Sequence, residues 1–403
     1  MAKVGSFEVE RLIVHQFDPQ RPTPGGIDTC LRGMLKYKPA GTEIAVVGVV
    51  ADGDSSRTLG VWEEHDLGGG AFRFMPVANL DPNDQVRRIP HSVRLIAGML
   101  RFGVRSKVRP ALVQAHRVDT ATAVHQVFAS RRFTYFIHTQ QTGLTSGSTD
   151  SFWKHASNVH HRLEQRLISA ADSTIIFNPT FGESAQHLST RTHSLPTWYD
   201  EALFFPATER STTNRVVWVG RAEKPKDPML ALDAFAALRR LDGASDWKFD
   251  LVGAGSLLDE CQAHVRALRL EDDVILHGRR TPEDTAKIMR EGRVFLMTSH
   301  PGYEGFPRVL VEALASGLPA AVTDGSDTGA LVATGSNGAS VSTRSADDLA
   351  RGIMTASTCA PERARSSVNE LSASTIIPRL FQLTSGDGLP SESHPSPKSP
   401  EGS

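Results

Sequence analysis

Short apolar runs alternate with amphipathic segments along most of this chain, and the alternation starts afresh near residue 215. That pattern leaves few folds open. Parallel strands must be joined by crossovers, usually helices, and those helices cover both faces of the sheet. In the first half the strand-like runs are Arg11–Phe17, Ile44–Val50, Phe72–Val77, Ala111–Ala115, Thr134–Ile137 and Ser173–Phe177, with a helical pattern from Ile27 to about Lys38. In the second half Arg215–Val219, Phe249–Val252, Val274–Leu276, Val294–Met297 and Ala320–Thr323 read as strands. Pro228–Leu241, Leu257–Leu268, Pro282–Arg290 and Pro307–Ser316 read as the helices between them. A chain of 403 residues is too long for one ordinary core, so the restart predicts two α/β domains. The polar, turn-rich stretch FFPATERSTTN (Phe204–Asn214) is the expected linker, dividing the chain into domains 1–203 and 204–384. The remainder, 385–403, is rich in Pro, Ser and Gly and has almost nothing to bury, which predicts disorder.

Composition removes several function classes. A formal net charge of −1 argues against a surface built for nucleic acid. The three cysteines, Cys30, Cys261 and Cys359, are far apart and read as reduced thiols, with no disulfide framework or metal spacing. No run approaches the ~18 apolar residues of a membrane span, and the first residues lack the apolar core of a signal peptide. The expected location is the cytoplasm.

The segment SHPGYEGFPRVLVEALASGLP (Ser299–Pro319) is the richest in chemistry. Glu304 and Glu312 are eight apart, with Gly305, Phe306 and Pro307 following the first. Pro307 is suited to the first turn of a helix, where its missing N–H costs nothing. The turn before it would aim backbone N–H groups and a positive helix end at one point, a site for a diphosphate. On spacing alone, an amphipathic helix with incidental acids is an equal alternative.

Glu-Gly-Phe-Pro, four residues, then Glu-Ala-Leu-Ala-Ser-Gly-Leu-Pro resembles the E-x7-E signature of the family 4 retaining glycosyltransferases, a group that includes bacterial mannosyl- and N-acetylglucosaminyltransferases. Three further segments resemble that family in the right order. They are VGRAEKPKDPMLALDAFAAL (Val219–Leu238), LVGAGSLL (Leu251–Leu258) and, in the first half, PGGID (Pro24–Asp28) with FIHTQQTG (Phe136–Gly143). The resemblance implies a GT-B fold: two Rossmann-like domains facing across a cleft, the first holding the acceptor and the second the nucleotide sugar. It also implies that a helical segment, about Pro361–Leu383, returns to the first domain.

By the same resemblance, Arg221 and Lys226 would neutralise the donor diphosphate and leaving group. Glu304 would position the sugar, Glu312 the ribose, and His138 the sugar at the reacting centre. Gly25 and Gly26 would allow close backbone approach, and Gly305, Phe306 and Pro307 would form the donor turn. His116 is assigned acceptor binding or structure only. The expected co-substrate is a UDP- or GDP-linked sugar, with no cofactor and no catalytic metal. The acceptor would be a sugar, lipid or small molecule, including glycolipid or polysaccharide precursors. Two alternatives are a non-catalytic binding subunit and a GT-B-type sugar-nucleotide epimerase or hydrolase.

Two patterns are set aside. Asp52-Gly53-Asp54 has the form of a metal-binding Asp-x-Asp, which arises often by chance. HASNVHH (His155–His161) lacks zinc-site partners and reads as polar helix surface. One departure from the family stands out: TDGSDTGALV carries Ser326 and Asp327 where a Gly-Gly turn is usual, and Ala330 where an acid is expected. The run Arg87–Arg117 holds eight basic residues and no acid. Either Val93, Ile96, Met99 and Leu100 face a core from a basic helix, or the helix attaches to an anionic membrane surface, at its inner face, or to an anionic acceptor.

Overall fold

The computed structural model describes residues 6–22, 26–51, 57–80, 90–138, 157–208, 213–325 and 330–385. The first sheet has eight strands: β1 (Phe7–Val14), β2 (Ile44–Ala51), β3 (Glu63–His65), β4 (Phe72–Leu80), β5 (Val108–Ala115), β6 (Arg132–Ile137), β7 (Ser173–Ile176) and β8 (Thr192–Ser194). Among the described residues their spatial order is β3-β4-β2-β1-β5-β6-β7-β8, with only the β3–β4 pair antiparallel. All eight residues of β2 are buried, as expected of a strand with helices on both faces.

The second sheet holds β9 (Arg215–Val219), β10 (Lys248–Val252), β11 (Val274–Gly278), β12 (Val294–Met297), β13 (Ala320–Thr323) and β14 (Gly338–Val341). It runs β11-β10-β9-β12-β13-β14, parallel throughout. Each sheet therefore has one place where the winding reverses, between β1 and β5 in the first and between β9 and β12 in the second. Crevices for ligands open at such points, beyond the carboxyl ends of the strands.

The chain crosses between the two units twice, and the crossings are bonded to each other. Tyr199 N–H donates to Leu371 (3.1 Å), and Ala373 N–H donates to Tyr199 (2.9 Å). After the second crossing, the helix Ala373–Ser385 buries Ile376, Ile377, Leu380 and Phe381 in the first unit's core, among Leu31, Met34, Phe177 and Trp198. Glu201 accepts from the N–H groups of Ala373 and Ser374, capping this helix with a negative charge at its positive end.

Several details differ from expectation. The edge strands β3, β8 and β14 are too short and polar to register as apolar runs. The helical segment expected over about Pro361–Leu383 is divided into a helix (Pro361–Ser366), a single 3₁₀ turn (Asn369–Leu371) and the final helix. In the helix His91–Arg101, Leu95 and Met99 are buried, whereas Val93 and Leu100 are 51% and 59% exposed, so those two do not face a core. His160 lies on the inner side of the helix Ser157–Ala170 and is buried, so HASNVHH is only partly a surface. Asp52, Gly53, Asp54, His155 and residues 326–329 lie outside the described residues.

Candidate active site

At the reversal of the second sheet, the loop after β9 carries Gly220 and Arg221. The loop after β12 carries Thr298, Ser299 and the Glu304–Pro307 turn. The β9 loop is held by its neighbour after β10. Gly253 has φ 139°, and a Cβ there would lie 1.7 Å from the Gly220 carbonyl oxygen; one at Gly255 would lie 2.4 Å from that of Ala222. Only glycine permits the two backbones to touch in this way, and their contact fixes the base from which Arg221 projects.

Lys226 ends a short 3₁₀ turn, Lys224–Lys226, and donates to Glu304 Oε1 at 2.5 Å. Ser299 Oγ donates to the same oxygen at 2.7 Å. Exposed Arg221 donates to the Tyr303 hydroxyl at 2.7 Å, and the Lys226 ammonium lies 5.8 Å from the Tyr303 ring centroid. Arg221, Lys226 and Glu304 thus form one cluster.

Three further residues hold it: Asp227, from the Val219–Leu238 segment, and Thr298 and Arg344, which belong to no motif. Asp227, at φ 48°, caps the helix Pro228–Arg239 by accepting from Leu230 N–H. Arg344 donates to Asp227 Oδ2 at 2.6 Å and to the carbonyls of Ser299 (3.0 Å) and Thr298 (3.1 Å). Thr298 Oγ1 accepts from Trp218 and shares its own proton between the carbonyls of Lys226 and Asp227. Arg344 is 117 positions from Asp227, too distant for any local pattern to reveal.

The helix of the E-x7-E segment is Arg308–Ala315, with Pro307 as its N-cap (φ −76°, ψ 89°) rather than its first residue. Arg308 reaches back to the Trp198 carbonyl at 2.8 Å and lies 5.2 Å from the Trp198 ring centroid. One turn on, Glu312 makes no side-chain hydrogen bond or ion pair among the described residues. Burial pushes its carboxyl up to about 7; nearby Arg308 opposes the shift and Asp200 adds to it.

The two units meet at Gly305. A Cβ there would be 3.2 Å from the His138 carbonyl oxygen and 3.6 Å from that of Phe177, so the Glu304–Pro307 turn abuts the strand ends of the first sheet. His138 follows β6. Its Nε2 lies 2.8 Å from Nδ1 of His116, which follows β5, and His15 follows β1 with its ring centroid 5.7 Å from that of His116. Burial, then His15 and Arg308, lowers His138 to about 3. His15 is likewise lowered to about 3, mainly by burial. His116 is 4% exposed and bonded on both ring nitrogens. His15 was missed: nothing in its sequence surroundings marks it.

Gly26 opens the helix Gly26–Lys36, with no atom within 4 Å of a Cβ built on it, while Gly25 lies outside the described residues. Among the described residues no hydrogen bond or close contact joins Gly26 to the cluster. The left-handed Ala330 (φ 48°) ends the departing loop at a conformation that glycine or asparagine adopts more easily.

Solved structures share this fold. Sucrose-phosphate synthase from Thermosynechococcus elongatus superimposes with a TM-score of 0.73 at 17% identity, covering 93% of this chain and 97% of that one. The fold is GT-B. The Anabaena protein HepE, solved with UDP and glucose, shares the GT-B fold at a TM-score of 0.66 and 17% identity, over 94% of this chain and 100% of that one. Residues 200–370 match the family Glycosyl transferases group 1. Lipopolysaccharide 1,6-galactosyltransferase of Salmonella typhimurium is 28% identical over 171 residues, 42% of this chain and 41% of that protein. The matched region thus spans about two-fifths of that relative's length. Arg221, Lys226, Glu304 and Glu312 lie inside the matched family segment, and His138 lies outside it.

Proposed function

We propose that this protein is a retaining, metal-independent glycosyltransferase of family 4, moving a hexosyl group from a nucleotide-diphosphate sugar to an acceptor. The observation that carries the reading is the Arg221–Tyr303 and Lys226–Glu304 cluster at the β9–β12 reversal, packed through Gly305 against His138. Anionic ligands are favoured where two cations and the N-terminus of the helix Arg308–Ala315 converge.

As the donor's glycosidic bond breaks, positive charge develops on the anomeric carbon and negative charge on the departing diphosphate. Arg221 and Lys226 stabilise the departing oxygens, the task a metal performs in other transferases. Glu304, already bonded to Lys226, holds the sugar hydroxyls beside the ammonium. Glu312 accepts from the ribose hydroxyls, and His138 contacts the sugar from the opposite unit. The close fit of the two units limits water, whose attack would waste the donor.

The matched lipopolysaccharide galactosyltransferase supports a glycolipid or polysaccharide-precursor acceptor. So does the helix His91–Arg101, where exposed Val93 and Leu100 stand with exposed Arg94, Arg101 and nearby Arg105, a pattern suited to the inner face of an anionic membrane. No helix among the described residues is long and apolar enough to cross a membrane.

The test is a panel of UDP-, GDP- and ADP-sugars with EDTA present, following nucleotide release and thermal stabilisation of the full chain. One donor should stabilise the fold and release its nucleotide without metal. Anomeric retention in the product is then read by NMR. Release only with manganese would overturn the metal-independent mechanism, and an inverted product would overturn retention.

A further inference from the structure

A line of buried polar side chains runs under the first sheet's strand ends to His138. Arg11 on β1 is fully buried and donates through one terminal nitrogen to Gln114 Oε1 on β5 at 2.7 Å. Its other terminal nitrogen donates to Thr384 Oγ1 on the last helix at 2.5 Å, and its guanidinium carbon lies 4.3 Å from the Phe381 ring centroid. Gln114 Nε2 is 2.7 Å from His116 Nε2, and His116 Nδ1 is 2.8 Å from His138 Nε2.

The direction of every bond follows from the first. A guanidinium can only donate, so the oxygen of the Gln114 amide must face Arg11 and its NH₂ must face His116. His116 Nε2 is then an acceptor. A neutral ring with one nitrogen accepting carries its proton on the other, so His116 Nδ1 donates to His138. His138 Nε2 in turn accepts, and its proton sits on Nδ1.

We propose that Gln114 and His116, oriented by Arg11, are positioning residues that lock His138 as the Nδ1–H tautomer and make it a hydrogen-bond donor to the cleft. The accepting nitrogen of His138 is consumed by His116, so towards a bound sugar this ring donates and cannot take a proton. Protonation of His116 would set an N–H against the Gln114 NH₂. Burial, with His138, His15 and Arg11 adding to it, holds His116 far below the usual histidine range, in agreement. His138 Nδ1 makes no hydrogen bond among the described residues and is absent from their buried, unpartnered atoms, as an available donor should be. The consequence for turnover rests on the transferase reading; the tautomer does not.

The experiment is long-range ¹⁵N–¹H correlation NMR on the full chain with ¹⁵N-labelled histidine, the His138 signals identified by their loss in His138→Gln. The expected wild-type result is a protonated Nδ1 and an unprotonated Nε2 on His138. In His116→Phe the constraint is gone, and the His138 signals should move to the Nε2–H form or a mixture. Donor turnover should fall by about ten- to a hundredfold in kcat, with the donor KM within about threefold. Gln114→Met, which frees the far side of His116, gives the same spectral mixture if His116→Phe does not fold.

A wild-type His138 protonated on Nε2 overturns the proposal. So does a pure Nδ1–H spectrum that survives both substitutions. If the spectra behave as expected but no nucleotide sugar is turned over, the relay stands and the transferase reading fails.

Discussion

The two reversal points differ in kind, although each is built on the same twisted parallel sheet. Around β9 and β12 the strand-end loops carry full charges, Arg221, Lys226, Asp227 and Glu304, with Arg344 reaching in from beyond β14, all joined by ion pairs and hydrogen bonds. Around β1, β5 and β6 they carry His15, His116 and His138, three rings that burial keeps neutral. A charged site can bind and stabilise a diphosphate. A neutral one can meet hydroxyl groups without attracting a competing anion. The contrast teaches that the fold places crevices, whereas the side chains at the strand ends divide the labour between them.

The sharpest way to break this division is Lys226→Met. Removing one preorganised cation should lower donor turnover by about 10²–10³-fold and abolish thermal stabilisation by nucleotide. An unchanged nucleotide affinity would move the anion site elsewhere. His138→Ala should act differently, lowering kcat by about ten- to a hundredfold while free nucleotide still stabilises the protein as in the wild type. If His138→Ala also abolished nucleotide binding, the two crevices would not have separate tasks.

Acid should expose the neutral side. His15 and His138 titrate at about 3 when folded and near 6.5 when unfolded, so between those values the unfolded chain binds more protons. Stability is therefore complete above about 6.5 and falls as pH drops, by ~1–2 kcal/mol for each ring at pH 5. Melting temperatures at pH 7.5 and 5 measure it, and His15→Phe should shrink the difference. The smallest effect lies with Glu312. With its carboxyl near 7, donor affinity in the free enzyme should weaken severalfold from pH 8 to pH 6. Glu312→Gln should remove that dependence; if the slope persists, another group sets it.

Much of this was legible. The bounds of Arg215–Val219, Val294–Met297 and Ala320–Thr323 were readable to the residue, because interior parallel strands are continuous apolar runs set between helix signals. The edge strands β3, β8 and β14 were not, since β3, for one, reads Glu-Glu-His and gains its identity only from its neighbour; the edge strand β11, with its apolar start at Val274–Leu276, was. At the site, Glu304 and Lys226 could be placed because they sit in recognisable segments. Arg344 could not, because its partners are backbone carbonyls and an aspartate from distant strands. Gln114 looks like any polar residue in a strand. Its meaning comes from Arg11, one strand over, and periodicity says nothing of who donates to whom.

The double crossing also sets an order of assembly. Arg11 and Thr384 are 373 positions apart, so the first unit's core stays open until the helix Ala373–Ser385, beyond the second unit, has been made. At about 5–20 residues per second, the second unit can fold while its elder waits several seconds or more for its last helix. During that interval Leu31, Phe177 and Trp198 lack the cover of Ile376, Ile377 and Phe381. On the ribosome, the half that begins first is the half that finishes last.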